Sequence, residues 1–217
     1  MNALPHTPGR LAREVACDGH CAQWIPDGAT AYAEMERQID TARHSIRLEW
    51  YLVRPLGPAE RLCAALRRAL QRQVKVRVLV DAYGSAELPA GYFSELKRHG
   101  ARVRVFNPRR LLRLTFRNHR KLLVCDDRAA VVGGFNIGPE YDGDGVTQGW
   151  RDLGMIVHGR AVKDLCRSFD RMFELAEFTP GALRRYRASE RRRNTGSNCV
   201  TLLTSGPGSG RSALQYS

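Results

Sequence analysis

Between residues 29 and 176, short apolar runs of strand character alternate with segments whose apolar residues recur every three or four positions, and few folds accommodate that order. Tyr32, Met35, Ile39 and Ala42 share one helical face and predict a helix over 29–43. Ser45 to Val53, rich in Ile, Leu, Trp and Tyr, reads as a strand. A second helical face at Leu62, Leu66, Ala69 and Leu70 precedes a strand from Val74 to Asp81. A helix around Leu88 to His99 stops at Gly100, a residue suited to a C-terminal cap, and Arg102 to Phe106 returns to a β pattern. Further on, the segment 119–136 occupies a strand pair, Leu153 to Val157 supplies another strand, and Ala161 to Ala176 reads as a helix with Val162, Leu165, Cys166, Phe169, Met172 and Phe173 on its apolar side. The prediction is an α/β domain: a mostly parallel or mixed central β-sheet flanked by helices on both sides.

At 217 residues and 43% hydrophobic composition, the chain can bury one substantial core, or one domain and part of another. Charges interrupt every window long enough to cross a bilayer, so no transmembrane helix is expected. Met1 to Pro8 lacks a basic patch followed by a long apolar core, which argues against a signal peptide. Of six cysteines, most lie in apolar periodic segments and read as buried free thiols. Cys17-Asp18-Gly19-His20-Cys21 has no clear fourth ligand, so no metal and no other cofactor is expected. Ser205-Gly206-Pro207-Gly208-Ser209-Gly210-Arg211 follows a strand but lacks the first glycine and the lysine of a phosphate loop, which argues against ATP.

The chemistry concentrates in His119-Arg120-Lys121-Leu122-Leu123-Val124-Cys125-Asp126 and, six residues on, Gly133-Gly134-Phe135-Asn136. In a strand, residues two apart share a face, so His119 and Lys121 can address one ligand. An imidazole nitrogen can attack phosphorus, and a lysine ammonium can hold a non-bridging oxygen through the transition state. Asn136 can donate an amide hydrogen to the same oxygens. Gly133 and Gly134 permit close approach of backbone to a ligand or to a neighbouring strand. Asp126 has the opposite parity from His119 and sits beside Asp127-Arg128, so it is expected to hold a turn and support the site without attacking the substrate. Taken singly, each part is ordinary: an exposed His-x-Lys pair, a turn aspartate, a tight glycine connection. Together in one short window they indicate a phosphoryl site.

The pattern His-x-Lys-x4-Asp-x6-Gly-Gly-x-Asn resembles the signature of the phospholipase D superfamily, with Gly134 where serine is usual, and the glycine form is similar to that of the bacterial cardiolipin synthase branch. Ser45 to Tyr51, Asp81-Ala82-Tyr83-Gly84-Ser85, Phe106-Asn107-Pro108, Asn136-Ile137-Gly138-Pro139-Glu140-Tyr141 and Trp150-Arg151-Asp152 resemble segments of that branch in its own order. The resemblance covers roughly residues 22 to 217. It implies a metal-independent phosphatidyltransferase with a phosphohistidine intermediate on His119, and with Lys121, Asn136 and Gly134 lining the phosphoryl position. It also nominates Asp152 as the carboxylate that fixes the His119 tautomer; pairing with Arg151 at a strand edge is the plainer reading. The candidate catalytic set is His119, Lys121, Asp126, Asn136 and Asp152. Tyr83 is placed at the mouth of the site or in loop packing, and Glu49 either supports the active-site end of the sheet or faces solvent at an edge.

In that family two such motifs meet at one active site, whereas His158 is followed by Gly159-Arg160 and no second His-x-Lys follows Asn136. The implied organisation is an N-terminal extension at 1–21, a catalytic half at 22–178, a basic connector at 179–198 and the beginning of a second half at 199–217. A second motif-bearing half or a homodimer partner would then complete the site.

The formal net charge is +13. Arg109, Arg110, Arg113 and Arg117 are interspersed with Leu111, Leu112, Leu114 and Phe116, a mixture suited to an anionic phospholipid surface. Solvated surface is the bland account, and the same charge would attract nucleic acid. With the family resemblance, the expected location is the cytoplasmic face of a bacterial inner membrane, held peripherally. The alternatives are a homodimeric phosphodiesterase or nuclease of the same superfamily, and a catalytically silent membrane-binding fragment.

Overall fold

The computed structural model describes residues 10–17, 19–107 and 117–177. Their frame is an eight-stranded mixed sheet in the order β1-β2-β8-β7-β6-β3-β4-β5. The strands are β1 (Val15–Cys17), β2 (His20–Ile25), β3 (Ser45–Trp50), β4 (Lys75–Asp81), β5 (Arg102–Phe106), β6 (Lys121–Cys125), β7 (Ala129–Gly133) and β8 (Gly154–Gly159). Only β3, β4 and β5 run parallel, while β6 pairs antiparallel with β3 and the β6-β7-β8-β2-β1 side is antiparallel throughout. The sheet is therefore mixed rather than mostly parallel.

Helices α1 (Gly28–Thr41) and α2 (Pro58–Gln71) cover one face, with the short α3 (Ser94–Arg98) beside them, and α4 (Arg160–Leu175) covers the other. Strand parity sorts the core. Ile46, Leu48, Trp50, Val76, Val78, Val80, Leu123 and Cys125 join Tyr32, Met35, Ile39, Leu62 and Leu66 on the α1–α2 side. Leu79, Leu122, Val124, Ala130 and Val157 join Val162, Phe169 and Phe173 on the α4 side. Asp27 caps α1 by accepting from Thr30 N–H at 2.7 Å, and Pro58 occupies the first turn of α2, where its missing N–H costs nothing.

Three expectations shift. The sheet reaches back past residue 22, because β1 and the start of β2 pair into it and β2 forms a full ladder with β8. The helix expected over Leu88 to His99 shrinks to Ser94–Arg98: Pro89 has no N–H to donate, and Gly91 adopts a left-handed φ of 79°, so turns occupy the first half. Val53 lies beyond β3 and forms an isolated parallel bridge to Ile137, so the chain leaves the sheet at Trp50 and touches the loop carrying Asn136. The region from 108 to 116 and everything from 178 onward, including the basic connector and the possible second half, lie outside the described residues.

Candidate active site

One edge of the sheet collects the site. The carboxyl ends of parallel β3 and β4 lie there, and because β6 runs opposite to β3, with Trp50 paired to Lys121, the start of β6 lies there too. The end of β7 and the start of β8 meet at the same edge, where Gly133 pairs with Gly154. Carboxyl ends of parallel strands are where ligands usually bind in α/β sheets, and the antiparallel strands here add their own termini to that rim.

Lys121 is the first residue of β6; His119 precedes the strand, so the pair does not sit on one ladder as expected. They meet nonetheless, with Lys121 Nζ 3.2 Å from His119 Nδ1 and 3.2 Å from the His119 carbonyl, to which it donates. Tyr51 supplies a wall: its ring centroid lies 4.3 Å from that of His119, and Lys121 Nζ is 5.5 Å from it. Burial pushes the His119 imidazole below its ordinary value, the neighbouring Lys121 charge pushes the same way, and Asp81 opposes both. Burial likewise lowers Lys121 to about 8, with Asp152 opposing.

Asp152 does not meet His119 as expected. Its Oδ1 accepts from Leu153 N–H at 2.7 Å, and the carboxylate fills the space above Gly134: a Cβ built there would lie 1.9 Å from Asp152 Oδ1 and 2.3 Å from Cγ. Its electrostatic effect falls on Lys121. Gly133 is equally confined, since a Cβ would lie 2.7 Å from the Gly154 Cα. The glycine pair thus serves close approach of a strand and of a carboxylate.

Asn136 is buried; its Nδ2 donates to the Tyr141 hydroxyl at 2.7 Å while its Oδ1 is buried without a hydrogen-bond partner. The Tyr141 hydroxyl can accept from the amide or donate to it. Turning the carboxamide over would keep that bond and bring the NH2 group to the unpartnered position.

Asp126 lies at the opposite end of β6. It accepts the backbone N–H groups of Arg43, His44 and Ser45 at 2.8, 2.7 and 2.9 Å, and these bonds hold its pKa below the ordinary carboxylate range against the cost of burial. Its place among the catalytic candidates is corrected to that of the turn-holding residue its parity predicted, with a left-handed φ of 54°. Tyr83 is 60% exposed at the rim, and Arg117 lies 5.2 Å from its ring. Glu49 faces the α4 layer, fully buried, so the solvent-facing account of it fails. It accepts from Asn118 Nδ2 at 2.7 Å and lies 3.3 Å from Arg120 Nη2, and burial raises its pKa against both partners. Arg109, Arg110 and Arg113 lie outside the described residues.

Sequence reasoning passed over Asp81, Asn118 and Tyr51. Asp81 is fully buried at the end of β4 and accepts the N–H groups of Tyr83, Gly84 and Asn118 at 2.8, 3.2 and 3.0 Å. The available signal was a carboxylate closing an otherwise apolar strand run. Among the described residues no three His, Cys, Asp or Glu side chains converge as for a metal, and no helix is long and apolar enough to cross a membrane.

The family model for the cardiolipin synthase, PLD-like domain matches residues 35–173. A cardiolipin synthase of Geobacillus kaustophilus (strain HTA426) is 36% identical over 146 residues, which is 65% of this chain and 29% of that protein. The chain therefore spans about three tenths of the length of such curated relatives. Among solved structures, Nuc of Salmonella typhimurium, a phospholipase D family member, aligns with a TM-score of 0.52 at 16% identity, covering 71% of this chain and 93% of that one. NucT of Helicobacter pylori aligns with a TM-score of 0.58 at 13% identity, covering 71% and 96%. On the match to residues 35–173, the chain belongs to the phospholipase D-like domain family of the cardiolipin synthases.

Proposed function

We propose that this chain is one motif-bearing half of a phosphatidyltransferase of the cardiolipin synthase type, working through a phosphohistidine on His119. The observation that carries the reading is the contact of His119 with Lys121 at the strand-end rim, beside a glycine pair and a buried carboxamide. An ammonium donating to Nδ1 places the imidazole proton on Nε2, the wrong tautomer for attack. An arriving phosphodiester draws Lys121 to a non-bridging oxygen, frees Nδ1 to take the proton, and leaves Nε2 as the nucleophile. As the Nε2–P bond forms, the bond to the leaving alcohol breaks and that alkoxide takes a proton from a general acid on the far side of phosphorus. The same group then removes the proton of an acceptor alcohol, which attacks phosphorus and releases His119.

One imidazole cannot occupy both sides of an in-line displacement, so a second motif-bearing half supplies the acid. That half is either further chain or a second copy. The proposed domain organisation follows: a catalytic half, a basic connector, and the opening of a second half from residue 199. The +13 charge supports peripheral attachment to an anionic cytoplasmic membrane surface, with Arg109, Arg110, Arg113 and Arg117 as contacts.

The test is turnover of phosphatidylglycerol vesicles by the assembled protein, with acid-quenched trapping of phosphoenzyme. Cardiolipin formation, and its loss together with the trapped species in His119→Ala, is the expected result. Hydrolysis of DNA with no lipid turnover would overturn the lipid assignment in favour of a nuclease.

A further inference from the structure

His119 lies outside β6, so no ladder hydrogen bonds fix its backbone; Lys121 and Tyr51 touch it from its own side, and the residue before it is anchored on the other. We infer that Asn118 is a positioning residue for His119, clamped between two buried carboxylates from adjacent parallel strands, Glu49 of β3 and Asp81 of β4. The inference rests on the reading of His119 as the nucleophile and supplies the means of its orientation.

Asn118 is 2% exposed and uses three polar groups. Its backbone N–H donates to Asp81 Oδ2 at 3.0 Å, its Nδ2 donates to Glu49 Oε1 at 2.7 Å, and its Oδ1 accepts from Arg120 N–H at 3.4 Å. The bond to Arg120 closes a local turn around His119. Both carboxylates are fully buried, and their counter-charges come from the same tetrapeptide: Arg117 Nη1 is 3.7 Å from Asp81 and Arg120 Nη2 is 3.3 Å from Glu49. Arg120 also donates to the Ser168 carbonyl of α4 at 3.4 Å, which ties the clamp to the helical layer. Asp81 meanwhile caps the Tyr83–Gly84 turn, and a Cβ on Gly84 would lie 2.4 Å from the Tyr51 carbonyl. The chain that carries the Tyr51 ring against His119 is thereby pressed to the same carboxylate.

The alternation explains the division of labour. Asn118 and Arg120 turn to the side where Glu49 and α4 lie, while His119 and Lys121 turn to the other side, against Tyr51. Two acids buried on one face thus fix an imidazole presented on the opposite face. A buried, unpaired carboxylate is costly, so the clamp is favoured only with Asn118 and both arginines in place.

The experiment follows the His119 imidazole by NMR during pH titration of the full 217-residue chain, in wild type and in Asn118→Ala, with circular dichroism as the folding control. No substrate is involved, so loss of the lipid reading leaves this test intact. Wild type is expected to titrate below the ordinary histidine value. Folded Asn118→Ala should release the ring toward solvent and raise its midpoint by about half a unit or more. In the assembled enzyme kcat should fall on the order of 100-fold with KM little changed. A folded Asn118→Ala whose His119 resonances and midpoint match wild type would overturn the proposal. Should that variant not fold, the uncharged Asn118→Ser carries the same comparison; failure of both to fold would overturn it as well, making Asn118 a residue of the fold and not of the site.

Discussion

At the scale of single residues, the site is set by burial acting on two bases. His119 is held below its ordinary value, so its neutral, nucleophilic form is present across neutral pH. Lys121 at about 8 loses the ammonium that would hold phosphate as the pH rises past that value. The expected kcat/KM profile is a bell, rising on an acid limb below the usual histidine range and falling on an alkaline limb near 8. Lys121→Arg should abolish the alkaline limb because a guanidinium does not deprotonate there. A flat profile between pH 7 and 9 in wild type would count against this assignment. For stability the sign is the reverse: the folded state holds Lys121 less protonated than the unfolded chain does, so its contribution improves as pH rises from about 8 toward the unfolded lysine value. Gly134 offers a second test. Gly134→Ser puts a Cβ into the Asp152 carboxylate, which must swing away, and Lys121 then loses its counter-charge. The alkaline limb should move below 8, readable from the same pH profile.

Elements place these residues by antiparallel return. Asn136 lies beyond β7 on a loop gripped from below by α1: the Tyr32 hydroxyl donates to the Asn136 and Gly138 carbonyls, the latter at 3.2 Å, and a Cβ on Gly28 would lie 1.6 Å from the Tyr141 carbonyl. Tyr32→Phe leaves buried carbonyls without a donor and should cost about 1–3 kcal/mol in denaturant unfolding. It should also weaken phosphate binding through looser placement of Asn136. Unchanged midpoint and slope would show that α1 does not support this loop. At the other edge, Asp126 joins the α1–β3 turn to the β6–β7 turn through three backbone bonds. Asp126→Ala is expected to lower stability by about 1–3 kcal/mol while leaving the His119 titration in place.

For the whole molecule, the single motif is the governing fact. The assembled protein should show transferase turnover only when a second motif-bearing half is present, whether in the same chain or in a partner copy. Light scattering coupled to chromatography, with turnover measured on each fraction, checks this; full turnover in a strictly monomeric 217-residue fraction would exclude it. Binding to anionic vesicles should weaken as salt increases, since exposed charge beyond a Debye length is screened. Binding unchanged from low to high salt would remove the electrostatic account of attachment.

By itself the sequence determined the layer order and nominated the residues of the candidate site. Periods of 3.6 and 2 mark α1, β3, α2, β4, β5 and α4 because burial of one face selects those spacings, and His119, Lys121 and Asn136 announce themselves as polar types in apolar surroundings. Strand parity also foretold the structural duty of Asp126. Local pattern could not say that β6 turns back against β3, which brings its first residue to the carboxyl ends of the parallel strands. Nor could it pair Asp152 with Gly134 rather than His119, or join Glu49, Asp81 and Asn118 across separations of 69 and 37 residues. Those contacts exist because sheet register and helix packing bring together groups that no spacing along the chain relates, and only the tertiary structure decides them.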